Sequence, residues 1–515
     1  MNGIAQENRM LTGDNNSGGQ AGSLRSSPEN AVVAAGLLFF VLAWTLHGAV
    51  IESHKALHFD LLEAYAWGQE FQLGYNQHGP FWAWIAGAWF LLFPKTNASF
   101  VLLEAINAAL GLLGAWLLIG LFAKGRTRDA AALLLLATPF YTYMAYKYNA
   151  NTILISLWPW TLFFFVRSLD NLERRDAIWF GVFAALSILS KYYTVILLMT
   201  CALSLYFHPN GRRYLLSPLP WLAAAVFTAF VLPHLVWSLN SNAPPVAYAM
   251  SITGNGWPYA IGYAVRFVLE AVLYQAGMAA IIVLACLLSK AGDIHEVAAR
   301  LPQSRRRFVA VLVLTPSILT LIFGLSFQLK IVTIMAASTY PLMPILLLQF
   351  APPLDARRLF QLAGSVAIAV TVLAAATSPL EREVMERKSR AAAGEPIREL
   401  AARVTGLWHD EMHTPLRYAG GAIHYANGIS FYSKDHPSSF PGLSFSRARW
   451  VTPVKLQRYG LLIACPHEDK DCLGKAAGFI SGASKQTSIA VARTMGTRAM
   501  PEVQFDIFMI PPQGG

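Results

Sequence analysis

Charge is what this sequence has least of. Only 13% of its 515 residues are Asp, Glu, Lys or Arg, whereas 55% are hydrophobic and the mean hydropathy is +0.43. A soluble domain carries about 25% charged residues, so the composition excludes a soluble protein and points to a polytopic membrane protein. Other things are missing too. No glycine-rich phosphate cradle or nucleotide-binding pattern follows any strand-like run, which excludes a nucleotide fold on the cytoplasmic side. No basic patch with interleaved aromatics occurs, so the net charge of +11 is no nucleic-acid footprint. No cluster has convincing metal-ligand spacing. No internal repeat is present and most charges sit at loop ends, which argues against a transporter.

What is present is long apolar runs. A helix needs about 20 apolar residues to cross the hydrocarbon core. Runs near 31–50, 98–123, 129–146, 152–167, 177–190, 192–207, 218–238, 262–289, 308–327, 331–350 and 359–378 predict about eleven transmembrane helices. The stretch 177–207 is interrupted by Ser190-Lys191 and reads as two short helices meeting at a polar kink, or as one long tilted helix. With the N-terminus cytoplasmic, loops 124–128, 167–176, 211–213, 289–307 and 355–358 fall inside and carry 15 Lys or Arg, as the positive-inside rule demands. Residues 1–30, rich in Gly, Ser and Asn, predict a disordered cytoplasmic tail. The run 31–50 lacks a small-residue cleavage site and reads as a retained helix. Residues 31–378 are thus the transmembrane domain, with a first outer loop at 51–97.

After residue 378 the composition changes. A charged helical stretch gives way to β-type runs (LRYAGG, YGLLIACP, QTSIAVA, VQFDIFMI), so residues 379–515 predict a soluble α/β domain. The odd number of spans places it on the periplasmic side. Of four cysteines, Cys201 and Cys286 lie in predicted spans; Cys465 and Cys472 flank a polar loop, where an oxidising compartment permits a disulfide and two free thiols are the alternative.

The first outer loop holds the concentration of acids that the rest lacks: HFDLLEAYAWGQEFQLGYNQHGP, residues 58–80. On a helix Asp60 and Glu63 share a face with Trp67 and Glu70, leaving Leu61, Leu62, Ala64 and Tyr65 toward the membrane. The segment after it, HGPFWAWIAGAWFLLFP, is a second amphipathic stretch. Ionisable groups at a membrane edge are costly and usually functional; the bland alternative is a solvated interfacial helix.

These residues resemble a known group. One helix, then H-F-D-x-x-E-A-Y-x-W-G, then G-Y-x-x-H-x-P-x-x-A-W, is similar to membrane glycosyltransferases of the GT-C class, in the branch of protein O-mannosyltransferases, lipid A aminoarabinose transferase and rhizobial galacturonosyltransferases. KYNANTILISLWPW (147–160), LSKYY and the run at 417–437 add to the likeness. Two positions depart from it. Many relatives have adjacent Asp-Glu where Leu61 and Leu62 separate the acids here, and Lys-Pro where this chain has His78-Gly79-Pro80. The resemblance implies a GT-C fold in the bacterial inner membrane. It also implies inverting transfer of a sugar from a polyprenyl-phosphate donor to an acceptor hydroxyl on the periplasmic face: lipid A, lipopolysaccharide or another envelope glycan, or a protein.

The residue types fit that chemistry. Asp60 is the candidate general base, taking the proton of the acceptor hydroxyl as it attacks the anomeric carbon, and Glu63 orients the acceptor or shares the proton. The lipid phosphate leaving group needs cations. Outside the terminal domain the outer side offers Lys55, Lys95, Lys147, Lys191, Arg266 and Lys330, of which Lys147, Lys191 and Arg266 are the candidate phosphate ligands and the others snorkel to the interface. His58, Tyr65, His78, Tyr146 and Asn149 are candidates for sugar or acceptor contacts. No cofactor is expected, although His58, Asp60, Glu63 and His78 could hold a divalent cation.

Overall fold

The computed structural model describes residues 28–53, 55–242, 244–289, 300–387, 395–495 and 498–513. Residues 1–27 of the expected N-terminal tail, most of loop 289–307 and residues 388–394 lie outside the described residues, while residues 28–30, expected in that tail, are helix. The chain divides into two compact units, residues 1–39 and 40–515. The first is described as helix from Pro28 onward, and the second holds the rest of that helix, the later helices and the whole sheet.

The transmembrane part is helical because in lipid only a helix satisfies its own backbone. In chain order it contains α1 (Pro28–Glu52), α2 (Phe59–Gly68), α3 (Phe81–Leu92), α4 (Asn97–Ile119), α5 (Gly125–Leu134), α6 (Leu154–Asn171), α7 (Arg174–Ser190) and α8 (Val195–Ser204). Next come α9 (Gly211–Leu215), α10 (Leu219–Asn240), α11 (Pro244–Ser251), α12 (Trp257–Leu273), α13 (Ala276–Leu288), α14 (Gln303–Ser326), α15 (Met343–Leu348) and α16 (Ala356–Arg387). Among the described residues six segments are long and apolar enough to span: Asn30–Glu52, Asn97–Ile119, Leu219–Asn240, Trp257–Leu288, Gln303–Ser326 and Ala356–Met385. The other five expected spans fall on helices that are shorter, broken or charged. Residues 129–146 hold the end of α5 and two 3₁₀ turns separated at Thr138, and 331–350 hold a 3₁₀ turn at Thr333–Thr339 and the short α15, with Pro341 between them and Pro344 in the first turn of α15. Proline lacks the amide hydrogen that would continue the ladder.

The stretch 177–207 is two segments, not one. α7 stops at Ser190, Lys191 is extended (φ −150°, ψ 125°), and a 3₁₀ turn at Tyr192–Thr194 leads into α8. α16 runs past residue 378 to Arg387.

The C-terminal α/β unit comprises α17 (Ile397–Met412), β1 (Tyr418–Gly421), α18 (Ile423–Tyr432), β2 (Ser438–Pro441), α19 (Pro453–Tyr459), β3 (Leu461–Pro466), α20 (Lys470–Ala476), β4 (Lys485–Met495) and β5 (Arg498–Ile510). The strand order is β2-β1-β3-β5-β4, with β2, β1 and β3 parallel and β5 antiparallel to both its neighbours. Four strands coincide with the β-type runs in the sequence. β2 does not, because four residues ending in proline show no alternation. Cys465 and Cys472 form a disulfide, tying the end of β3 to α20.

This unit lies against the first outer loop. The face of α2 expected to meet lipid is instead inside the protein: Leu61, Leu62, Ala64 and Tyr65 are at most 3% exposed. On one side α2 crosses α3 in backbone contact, where a Cβ on Gly68 would fall 2.4 Å from the Ala83 oxygen. On the other it meets α18. The Tyr65 ring stands edge-on to Phe431 at 5.0 Å, Gln69 Nε2 donates to Ser430 Oγ at 2.7 Å, and Ser438 donates to Glu70. Apolar residues on this amphipathic helix thus pack on protein.

Candidate active site

α2 starts where it does because of His58. Its Nδ1 accepts the Asp60 amide at 3.3 Å, capping the helix, and places Asp60 in the first turn, where the helix dipole favours a carboxylate. Burial, then the positive charges of Lys147, His424 and Lys55, pull the His58 pKa down to about 4. His58 is therefore neutral near pH 7, and its 3.6 Å approach to Asp60 Oδ2 is no ion pair.

Asp60 Oδ2 accepts a hydrogen bond from Asn149 Nδ2 at 2.9 Å, joining the first loop to the loop between α5 and α6 across 89 residues of sequence. Burial raises the Asp60 pKa, opposed first by the Asn149 donor and then by Lys147 and Lys191. Glu63 is pushed up to about 8 by burial and by the negative charge of Asp60; Arg447 and Lys191 oppose this. Lys191 therefore acts on both carboxylates. It owes its place to the break after α7, held from the other side by Gly79. A Cβ on Gly79 would lie 2.1 Å from the Leu189 oxygen, so the loop before α3 runs in direct backbone contact with the end of α7. That approach also sets His78 within reach of the Lys191 charge, which together with burial lowers the His78 pKa.

Lys147 occupies a backbone conformation rare for any side chain but glycine, φ 111°. Such strain costs about 1–3 kcal/mol and persists only where the surroundings enforce it.

Of the residues expected from the sequence, the structure groups Asp60, Glu63, His58, His78, Lys147, Asn149 and Lys191. It does not group the remaining three. Arg266 pairs with Glu270 at 2.6 Å on α12 and is 68% exposed, and it is not among the charges acting on either carboxylate. The Tyr146 hydroxyl donates to the Trp44 carbonyl of α1. Tyr65 is 1% exposed, wedged between Phe90 and Phe431. Both tyrosines belong to helix packing. Among the described residues no three His, Cys, Asp or Glu converge as a metal site would require, so His58, Asp60, Glu63 and His78 do not form one ligand set.

Two groups were not foreseen: Arg447, in the loop after β2, and His424, which follows β1. Both follow the carboxyl ends of parallel strands in the C-terminal unit, and the charge of Arg447 acts on Glu63 and that of His424 on His58. His424 lies in the run 417–437 that adds to the family likeness but was not singled out there, and nothing in the sequence marked Arg447, since contact between that unit and α2 was not expected.

Residues 77–237 match the family described as dolichyl-phosphate-mannose-protein mannosyltransferase. The matched span contains His78, Lys147, Asn149 and Lys191 but not the two acids. No curated protein matches the sequence. Among solved structures, ArnT from Cupriavidus metallidurans bound to undecaprenyl phosphate is similar, with a TM-score of 0.57 and 13% identity, over 92% of this chain and 98% of that one. The apo state of the same protein gives a TM-score of 0.47 at 13% identity over the same shares. The fold is that of ArnT, and the GT-C resemblance read from the first loop is borne out at the level of fold.

Proposed function

We propose that this protein is an inverting glycosyltransferase that moves a sugar from a polyprenyl-phosphate donor to an acceptor hydroxyl of an envelope glycan or glycolipid, such as lipid A or lipopolysaccharide, on the periplasmic face of the bacterial inner membrane. The observation that carries the reading is the hydrogen bond from Asn149 to Asp60, which holds a buried carboxylate on which the charges of Lys147 and Lys191 act from two further points of the chain. The undecaprenyl phosphate bound by ArnT and the dolichyl-phosphate-mannose of the matched family support a lipid-phosphate donor. The family description also favours a second acceptor class, a protein hydroxyl.

The chemistry needs one displacement. Asp60 takes the proton of the acceptor hydroxyl as its oxygen attacks the anomeric carbon, the bond from that carbon to the phosphate oxygen breaks, and the stereochemistry inverts. The lipid phosphate leaves with its negative charge, which Lys191 and Lys147 stabilise. Glu63, protonated below about pH 8, donates a hydrogen bond to the acceptor instead of competing for its proton. The positive-inside pattern of the loops supports the periplasmic placement.

The test is sugar transfer in membranes supplied with undecaprenyl-phosphate-linked sugars, read on extracted glycolipids. Asp60→Asn keeps the shape and removes the base, so turnover should fall about 10²–10⁴-fold. An Asp60→Asn variant working at the wild-type rate would overturn the assignment.

A further inference from the structure

The strained backbone at Lys147 needs something to hold it, and the holder lies in α4. Glu104 is the single charged residue of that 23-residue helix and is 3% exposed. Its Oε1 accepts the backbone N–H of Lys147 at 2.9 Å and that of Tyr148 at 2.9 Å. Three residues on, Asn107 Nδ2 donates to the Thr152 carbonyl at 2.8 Å, while Asn107 Oδ1 accepts from Ser156 Oγ at 2.7 Å. Residues three apart share a helix face, so one face of α4 grips both ends of the segment 147–152.

Between the grips the segment closes on itself. Asn149 Oδ1 accepts the amides of Asn151 at 2.8 Å and Thr152 at 3.1 Å, and Thr152 Oγ1 donates to the Lys147 carbonyl at 3.1 Å. Two backbone donors on the amide oxygen leave only one way round for the Asn149 side chain. Its nitrogen must point outward, and it meets Asp60 Oδ2 at 2.9 Å.

A buried acid in an apolar helix carries a heavy desolvation cost. One Glu104 oxygen takes both amides at the turn where the lysine backbone is in its disfavoured conformation, an acceptor role that an amide oxygen can also fill. We infer that Glu104 is a positioning residue: by clamping the Lys147 and Tyr148 amides it fixes the turn that aims Asn149 at Asp60. The inference rests on the reading of Asp60 as the base and names what orients it. Glu104 touches no reacting atom; it acts through Asn149. Catalytic geometry tolerates little error, and a displacement of about 1 Å costs about 10²-fold in rate.

The experiment compares Glu104→Ala, Glu104→Gln, Asn149→Ala and the Glu104→Ala/Asn149→Ala double variant in the full chain, with Asp60→Asn alongside. Glu104→Ala and Asn149→Ala should each lower kcat by about 10²-fold with donor KM little changed. The double variant should be no slower than the slower single, because both act on one contact. The Asn149 donor holds the Asp60 pKa down, so both single variants should move the acid limb of the rate profile to higher pH. Glu104→Gln, whose amide oxygen still accepts both amides, should keep most of the activity and should fold even if the alanine variant does not.

Effects that multiply in the double variant, or an unmoved acid limb in a folded Glu104→Ala, would overturn the inference with the transferase reading intact. Wild-type turnover in Asp60→Asn would instead remove the base. The clamp then stands or falls on hydrogen exchange of the peptide spanning 147–149: protection lost in Glu104→Ala supports it, and unchanged protection overturns it.

Discussion

Asp60 and Glu63 stand three residues apart on one helix, and their surroundings make them different acids. Asp60 has a neutral donor and two lysines to favour its charge; Glu63 has the charge of Asp60 against it. Burial and the charge of Asp60 push the Glu63 pKa up to about 8, so near pH 7 Glu63 holds its proton. Glu63→Gln should therefore keep measurable turnover where Asp60→Asn does not. The same shift acts on stability. The native Glu63 pKa of about 8 lies above its ordinary 4.5, so the folded state binds the extra proton and stability falls as pH rises through that window. Glu63→Gln cannot ionise. Its melting temperature should gain on the wild type progressively between pH 4.5 and about 8, and differ least at the acid end; a difference that stays flat across the window would refute the shift. Lys191→Ala should lose activity while remaining folded in the membrane, and Lys191→Arg should keep part of it, since charge survives when geometry does not. A fully active alanine variant would make Lys191 an ordinary interfacial cation. The acids and Lys191 were legible in the sequence because each breaks an apolar context. Arg266, Tyr65 and Tyr146 misled because an ion pair with Glu270 and ring packing on neighbouring helices leave no mark in one dimension. Arg447 stayed hidden among other loop arginines. Glu104 carried the same signal as Lys191, a lone charge in an apolar run, but it lies inside a span and escapes any reading that weighs charges at helix ends alone.

At the scale of elements, the break between α7 and α8 and the loop before α3 form one joint. Leu189 carries its carbonyl against Gly79, and His78 and Lys191 flank that contact. Gly79→Ala puts a methyl 2.1 Å from that oxygen, a distance that one of the two segments must yield to. The variant should lose both thermal stability and turnover, and Lys191 should become more accessible to amine-reactive labels. Wild-type labelling with wild-type turnover would show the joint to be slack. The positions of most long helices could be read from hydropathy alone. Helix lengths were harder, because prolines and polar breaks divide apolar stretches in ways that composition averages out, as at residues 331–350.

At the scale of the whole molecule, Phe431 of α18 is the key between the C-terminal unit and the helices around the acids. Its ring lies 5.0 Å from Tyr65 of α2, 5.6 Å from Phe90 of α3 and 6.0 Å from Phe100 of α4, and it is 1% exposed. Emptying such a site costs about 3–5 kcal/mol. Phe431→Ala should release the C-terminal unit to limited proteolysis and lower turnover, although Phe431 contacts neither carboxylate. A protease-resistant, fully active variant would show that docking does not depend on it. The α/β character of this unit was evident from its strand-like runs. That it covers α2 was not, because the pattern of an amphipathic helix is the same whether its apolar face meets lipid or protein.

That cover has a consequence in time. α2 ends at Gly68 and α18 begins at Ile423, and at about 5–20 residues per second of synthesis roughly 20–70 s separate their emergence. Throughout that interval the nascent chain holds its acid pair with the apolar side of α2 bare, and neither Arg447 nor His424 has yet been made. A chain cut short before the last domain would keep its helices but leave the apolar side of α2 without the cover that α18 provides.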